Sequence, residues 1–206
     1  MTLMEVIVAI AIMTTIALAA ASVSLNGTKS QSAVERQQVA VTIANGAMEK
    51  VSGWTLDLDS STGVSMLYYG RAQSAVNNAF NANLTLPGVA QTNQVWDIHA
   101  PADVAPGGPS LPITTTSTQN GTIYTTTTLI GSCYQSTLIQ TAQTTATPPV
   151  PVLNNCVAAS GPNTDMLIRV IVIVSWTAGA QCQASGCYYE TSTLLDPNAD
   201  LEWVTH

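Results

Sequence analysis

Polarity along the chain changes abruptly, and the first stretch is the most apolar. From Val6 to Thr28 no residue carries a formal charge, and Ile, Val, Leu, Ala and Met dominate. That is enough to span a bilayer, which takes about 20 apolar residues. Past this run Val34, Val41 and Met48 recur every seven residues, with Ala44 and Val51 among and after them, predicting an amphipathic helix to about Val51. Such a stripe needs a sheet to lie on. Asn26-Gly27 falls at the junction, and Gly costs roughly 1 kcal/mol against Ala inside a helix, so a soft or unwound turn is expected there. A helix continuous over residues 2–52 would be about 75 Å long, and half of it would have to project from any globular core.

The rest of the chain alternates turn-rich segments with short β patterns. Residues 53–93 open on a turn-rich connection; Ser74 to Ala82 suits a short helix anchored by Phe80, the only Phe. Gln94 to His99 alternates like a strand, with His99 on solvated surface. A Pro-Gly loop from Pro101 to Pro112 precedes a β-branched strand at Thr122–Cys133, and a Thr/Pro loop from Thr141 to Pro151 follows. Met166–Trp176 is a near-continuous apolar run broken by Arg169 and Ser175, which predicts a central strand; Tyr188–Leu195 is its returning partner. These elements make an α+β fold: a long N-terminal helix whose apolar outer half projects and whose amphipathic half packs on an antiparallel sheet, with disulfide-tied loops.

Composition narrows the function classes. Only 8% of residues are charged, against roughly a quarter in average soluble proteins. Net charge is −7 with five Lys and Arg, so direct nucleic-acid binding is not expected. Four cysteines, all in the polar part, suit disulfides in an oxidising compartment. Of the three connectivities open to them, Cys182–Cys187 would close the hairpin turn and Cys133–Cys156 the Thr/Pro loop. No paired CxxC is present and only His99 and His206 could assist, which disfavours zinc. Absent too are GxSxG, HExxH and P-loop motifs, so an enzyme is not expected.

Glu5 is the residue this picture leaves unexplained. An ionised carboxylate at the head of an apolar span costs about 2.5 kcal/mol or more and calls for a cation. Lys29 is the first basic side chain, leaving the Met1 amine as the near partner. Neither a secretory h-region nor a plain anchor has a use for Glu5. Thr2, Leu3, Glu5 and the apolar helix after them resemble the mature N-terminus of type IV pilins and pseudopilins, with TLMEVIVAI closest in wording to the minor pilin or pseudopilin branch. The likeness covers roughly the first thirty residues and loosely the C-terminal hairpin. Two departures stand out: Met1 replaces the more frequent Phe, and the helix-kinking Pro often found late in the apolar segment is missing.

The resemblance implies a leader ending in Gly, cut by a prepilin peptidase, and N-methylation of Met1. It implies a hydrophobic helix over 1–27, for the membrane span and filament core, and a pilin-like domain over 28–206 that includes the amphipathic helix 28–52. The expected function is a structural subunit of an extracellular type IV pilus or related filament, with Glu5 pairing a neighbour's N-terminal amine. Its partners would be copies of itself, other pilins and an assembly platform. It would sit in the cytoplasmic membrane as a single-pass protein before joining a surface filament. Two rivals are a minor pilin or pseudopilin that primes or tips a pilus or secretion filament, and a membrane-anchored, adhesin-like binding domain.

Two weaker motifs remain. Asp196, Asn198, Asp200 and Glu202 place oxygen ligands at alternate positions, as a Ca²⁺ turn would, and some pseudopilins hold calcium in a C-terminal loop. The EF-hand spacing is not met, so a solvated acidic turn is the preferred reading and no cofactor is expected. Asn26, Asn83 and Asn120 each head an N-glycosylation sequon, a triplet that arises readily in a chain this rich in Asn and Thr.

Overall fold

The computed structural model describes residues 3–54, 65–86, 88–100, 111–136, 156–179, 182 and 186–196. One helix, α1, runs without a break from Leu3 to Ser52. The soft turn expected at Asn26-Gly27 is absent. Gly27 is helical with nothing within 4 Å of where its Cβ would lie, so only the small propensity cost opposes the helix. Cooperative extension from both sides outweighs it. The division at 27/28 is therefore a change of surroundings along one rod.

Five antiparallel strands form a single sheet: β1 (Asn93–Gln94), β2 (Thr114–Gln119), β3 (Thr122–Ser136), β4 (Thr164–Trp176) and β5 (Cys187–Leu195). β3, β4 and β5 lie side by side in sequence order, while β2 and β1 share the outer edge of β3. β2 pairs with residues 122–127 and β1 with 131–132. The short helix α2 (Gln73–Ala82) matches the expected one, and a 3₁₀ turn follows at Val89–Gln91. The strand expected at Gln94–His99 shrinks to β1. Beyond it the backbone leaves the sheet, and Asp97 N donates to Arg71 O.

β2 was not expected, because its sequence, TTTSTQ, is polar on both faces and offers no apolar alternation. What specifies it is the turn. Asn120 and Gly121 both take positive φ, 49° and 72°, the conformation of a tight two-residue hairpin, and Asn-Gly is the pair best suited to it.

β4 is the centre of the molecule, and both its faces are covered. Ile168, Val170, Val172, Val174 and Trp176 point to α1; Ile171 and Ile173 point to the opposite side, where Val76, Phe80 and Val89 meet them. Covering both faces explains the unbroken apolar run. On α1 the buried residues are Ala40, Ala44 and Val51, flanked by Val39, Ile43, Ala47 and Met48. Ala44, Met48 and Val51 of the expected stripe are in this contact, but Val34 is not: it is 51% exposed, and Ala40 takes the close approach at that end. The reason is steric, since small alanines let the helix axis come close to a sheet face already filled by Ile, Val and Trp.

Two disulfides tie the loops with the expected connectivity, Cys133–Cys156 and Cys182–Cys187. Two buried arginines do work that the sequence did not announce. Between β2 and β1 the edge of β3 lacks a strand partner, and there Arg71, 1% exposed, donates to the carbonyls of Thr128 (2.6 Å) and Leu111 (3.1 Å). Burial lowers its pKa to about 10, which leaves it protonated at neutral pH. Arg169 leaves β4 on the α2 side and donates to Gly88 O, Thr92 Oγ1 and Cys156 O. It thereby fastens the 3₁₀ turn and the Cys133–Cys156 bridge to the central strand. Gly131 lies opposite Arg169 in register; a Cβ there would overlap the Asn93 carbonyl and the Thr92 methyl, so only Gly lets β1 approach.

Candidate functional site

The feature that the fold leaves without a partner is the first half of α1. Leu3, Ile7, Ile10, Met13, Ile16 and Leu18 are each more than half exposed, and no residue before Ala40 on α1 is fully buried. By length and composition this helix is able to cross a membrane, and none of its most apolar stretch is buried within the chain. Its hydroxyl groups are suited to an apolar medium. Thr14, Thr15, Ser22 and Thr28 each donate to the carbonyl three residues earlier, at 2.8–3.0 Å. A hydroxyl bonded to its own helix offers no unsatisfied donor to hydrocarbon.

Glu5 stands in the first turn of α1, exposed, among these apolar side chains. An acidic residue there is favoured by the helix dipole. The first cation further along the helix is Lys29, about 36 Å away at the α-helical rise, so α1 supplies it no ion-pair partner. Met1, the residue expected to carry the pairing amine and the methyl group, lies outside the described residues. The first half of the helix therefore presents one charged residue, a carboxylate, on a mostly apolar surface.

The remaining candidates are scattered over the domain. Of the four candidate calcium ligands only Asp196, at the end of β5, is described; Asn198, Asp200 and Glu202 lie outside the described residues, as does His206. Among the described residues no group of three or more His, Cys, Asp or Glu could hold a metal ion. Asn83 ends α2, its Nδ2 donating to Ala79 O at 2.8 Å. Asn120 turns the β2–β3 hairpin, its Nδ2 donating to Glu35 Oε1 at 2.9 Å. In both sequons the nitrogen that would carry a sugar already has a structural bond. Asn26 is simply part of α1.

His99 is on the surface, as expected, but not without an acid nearby: its Nδ1 is 3.8 Å from Asp97 Oδ1. Asp97 is 4% exposed and accepts from Gly70 N and His99 N, both at 2.8 Å. Those bonds occupy the carboxylate in holding two loop backbones together. The residues that sequence reasoning missed, Arg71 and Asp97, each bond to backbone groups distant in sequence (Leu111 and Thr128 for Arg71, Gly70 for Asp97), and no local pattern marks such roles. Arg169 had a signal, a charge within an apolar strand. Compared with known proteins, the chain matches no family model, no curated protein and no solved structure.

Proposed function

We propose that the chain is a structural, non-catalytic subunit of an extracellular type IV pilus or related filament. The observation that carries this reading is the continuity of α1. One helix is packed on a sheet at its C-terminal end and bare, apolar and headed by a single carboxylate at its N-terminal end. A membrane covers that surface while the subunit waits; outside the membrane, only the same helices of other subunits offer an equal cover. At about 25 cal/mol per Å², each few hundred Å² buried against a neighbour contributes several kcal/mol to assembly. Glu5 then meets a neighbour's N-terminal amine in the apolar bundle and sets the axial stagger, a registry role for a buried ionic group. The polar, weakly charged sheet faces outward.

Electron microscopy of surface filaments sheared from cells that make the chain, with mass spectrometry of their main subunit, tests this reading. The expected result is this chain as the main subunit, with a methylated N-terminal amine. Filaments that do not contain the chain, or a chain that keeps an unmodified initiator methionine, would remove the support for it.

A further inference from the structure

Residues of α1 and the described residues that follow β4 line an open cleft of about 540 Å³, within the roughly 300–1,000 Å³ usual for small-ligand sites. Lys29, Ser32 and Arg36 line it from the helix, Trp176 from the end of β4, Gly179 from just beyond it, and the bridged Cys182 and Cys187 from the turn. Lys29 and Arg36 are seven residues apart, hence on one helix face and about 10 Å apart along the axis. Gly179, at φ +100°, makes room for the guanidinium: a Cβ there would lie 3.0 Å from Arg36 Nη1.

The cleft gathers most of the accessible positive charge of an acidic chain. Of five Lys and Arg, Arg71 and Arg169 are committed to backbone carbonyls inside the fold, and Lys50 sits in the last turn of α1. The other two line this cleft. Glu35 is not part of the cleft wall; its Oε1 accepts from Asn120, and it shares with Arg36 a smaller hollow beside Tyr124. The one side-chain hydrogen bond Arg36 makes among the described residues is a long one, Nη1 to Ser32 Oγ at 3.5 Å.

Position decides what such a cleft meets. A hydrocarbon core takes about 20 residues of helix, so with the run from Val6 in the bilayer Lys29 stands at head-group level, and Arg36, about 10 Å further along the axis, turns its guanidinium back towards Ser32 Oγ. The 55% exposed Tyr188 lies at that same end of the sheet, and Tyr favours the membrane–water interface, while the buried Trp176 forms the floor of the cleft. Arg and Lys, the one forked and the other a point charge, suit a phosphate oxyanion. We propose that this cleft holds the phosphate of an anionic membrane lipid while the subunit is anchored in the bilayer. The site orients the domain on the membrane surface and must be emptied when the subunit leaves. It rests on the membrane-spanning reading of α1, not on the filament reading.

The test uses the full chain reconstituted in vesicles of phosphatidylcholine, with or without a minor fraction of phosphatidylglycerol, and native mass spectrometry of the lipid it retains. The chain is expected to retain phosphatidylglycerol in preference to phosphatidylcholine. The double substitution Lys29→Gln/Arg36→Gln should lower that retention roughly tenfold or more, the loss of two cations at a charged membrane surface. Lys50→Gln should leave it unchanged, and added inorganic phosphate should not displace the lipid. Disulfide mapping of each variant verifies that the domain is intact.

Equal retention by the double variant overturns the proposal. So does inorganic phosphate that binds in the lipid's place, which makes the cleft a site for a soluble anion, or self-association that needs Lys29 and Arg36 without lipid preference, which gives it to a second copy. A chain that inserts into phosphatidylcholine but shows no preference sinks this proposal alone; one that fails to insert sinks the membrane reading with it.

Discussion

The two halves of α1 share one continuous backbone, yet one half is part of a core and the other packs on nothing in the domain. In residues 3–25 the apolar side chains go all the way round, and every side is exposed. In residues 36–51 they keep to one face, and that face meets β3, β4 and β5. An all-round apolar helix has no inside of its own and needs an external solvent of low polarity; a striped helix carries its own orientation. The comparison separates what the sequence does for folding from what it does for assembly. Substitutions in one half should register in stability, and in the other only in membrane or filament behaviour.

The widest separation is expected at Glu5. Glu5→Val keeps the helix and improves its apolarity, so the domain should fold, form both disulfides and enter the membrane as before. A buried amine left without its partner costs about 3 kcal/mol or more, so filament yield should fall by at least about tenfold. Filaments from this variant at normal yield and unchanged helical rise would show that Glu5 does not set the registry.

Next come the bridges, which should matter only to the packed half. Replacing Cys133 and Cys156 by Ala opens a loop with a sequence separation of 23, and should cost about 3–4 kcal/mol. For Cys182 and Cys187, separated by 5, the same entropy argument gives about 2 kcal/mol. Denaturant unfolding of the full chain in detergent measures both. A reversed order would place the anchoring of the domain at the β4–β5 turn instead of at the Arg169 network.

The alanines sharpen the contrast most directly. Ala44, fully buried against the sheet, has no room for more atoms, and Ala44→Leu should destabilise by about 1–3 kcal/mol. Ala17→Leu, the same change in the bare half, should leave unfolding unaltered. If both variants unfold like the parent, the packing of α1 on β4 is looser than its buried alanines imply.

The same contrast explains what could be read from the chain beforehand. The apolar run, the striped half and the β4–β5 pair were legible because each is a local pattern whose period states its environment. The bridge pairing was legible from loop positions. Continuity at Asn26-Gly27 was not, since a local breaker says nothing of the helix pressing on it from both sides. The contact line of α1 was legible at Ala44 and Val51 and missed at Ala40, because alanine looks neutral in a periodicity count and becomes decisive only opposite a bulky sheet face. β2 is specified by its turn and by its partner strand, not by its own residues. The side chains of Arg71 and Asp97 reach backbone groups 27 to 57 residues away, at Gly70, Leu111 and Thr128, which composition cannot indicate. Whether Glu5 meets an amine is likewise a property of several chains.

The smallest effect is expected at Glu190, which brings a charge to the edge of the packed region. In β5 it pairs with Ile173 and so lies on the α2 side of the sheet, half-buried beside an apolar residue. Burial raises its pKa, because the carboxylate loses solvation there. The folded state therefore binds this proton more tightly than the unfolded chain does. The stabilisation from the neutral acid is full below the unfolded pKa and is lost as pH rises through the raised folded value. At neutral pH the ionised group opposes folding weakly, since solvent still screens it. Glu190→Gln should then raise stability near pH 7 by less than about 1 kcal/mol, and by nothing at a pH below both values. Unfolding curves of parent and variant across mildly acidic to neutral pH provide the check. A variant less stable at pH 7 would mean that the carboxylate is paired in the folded protein, not merely desolvated.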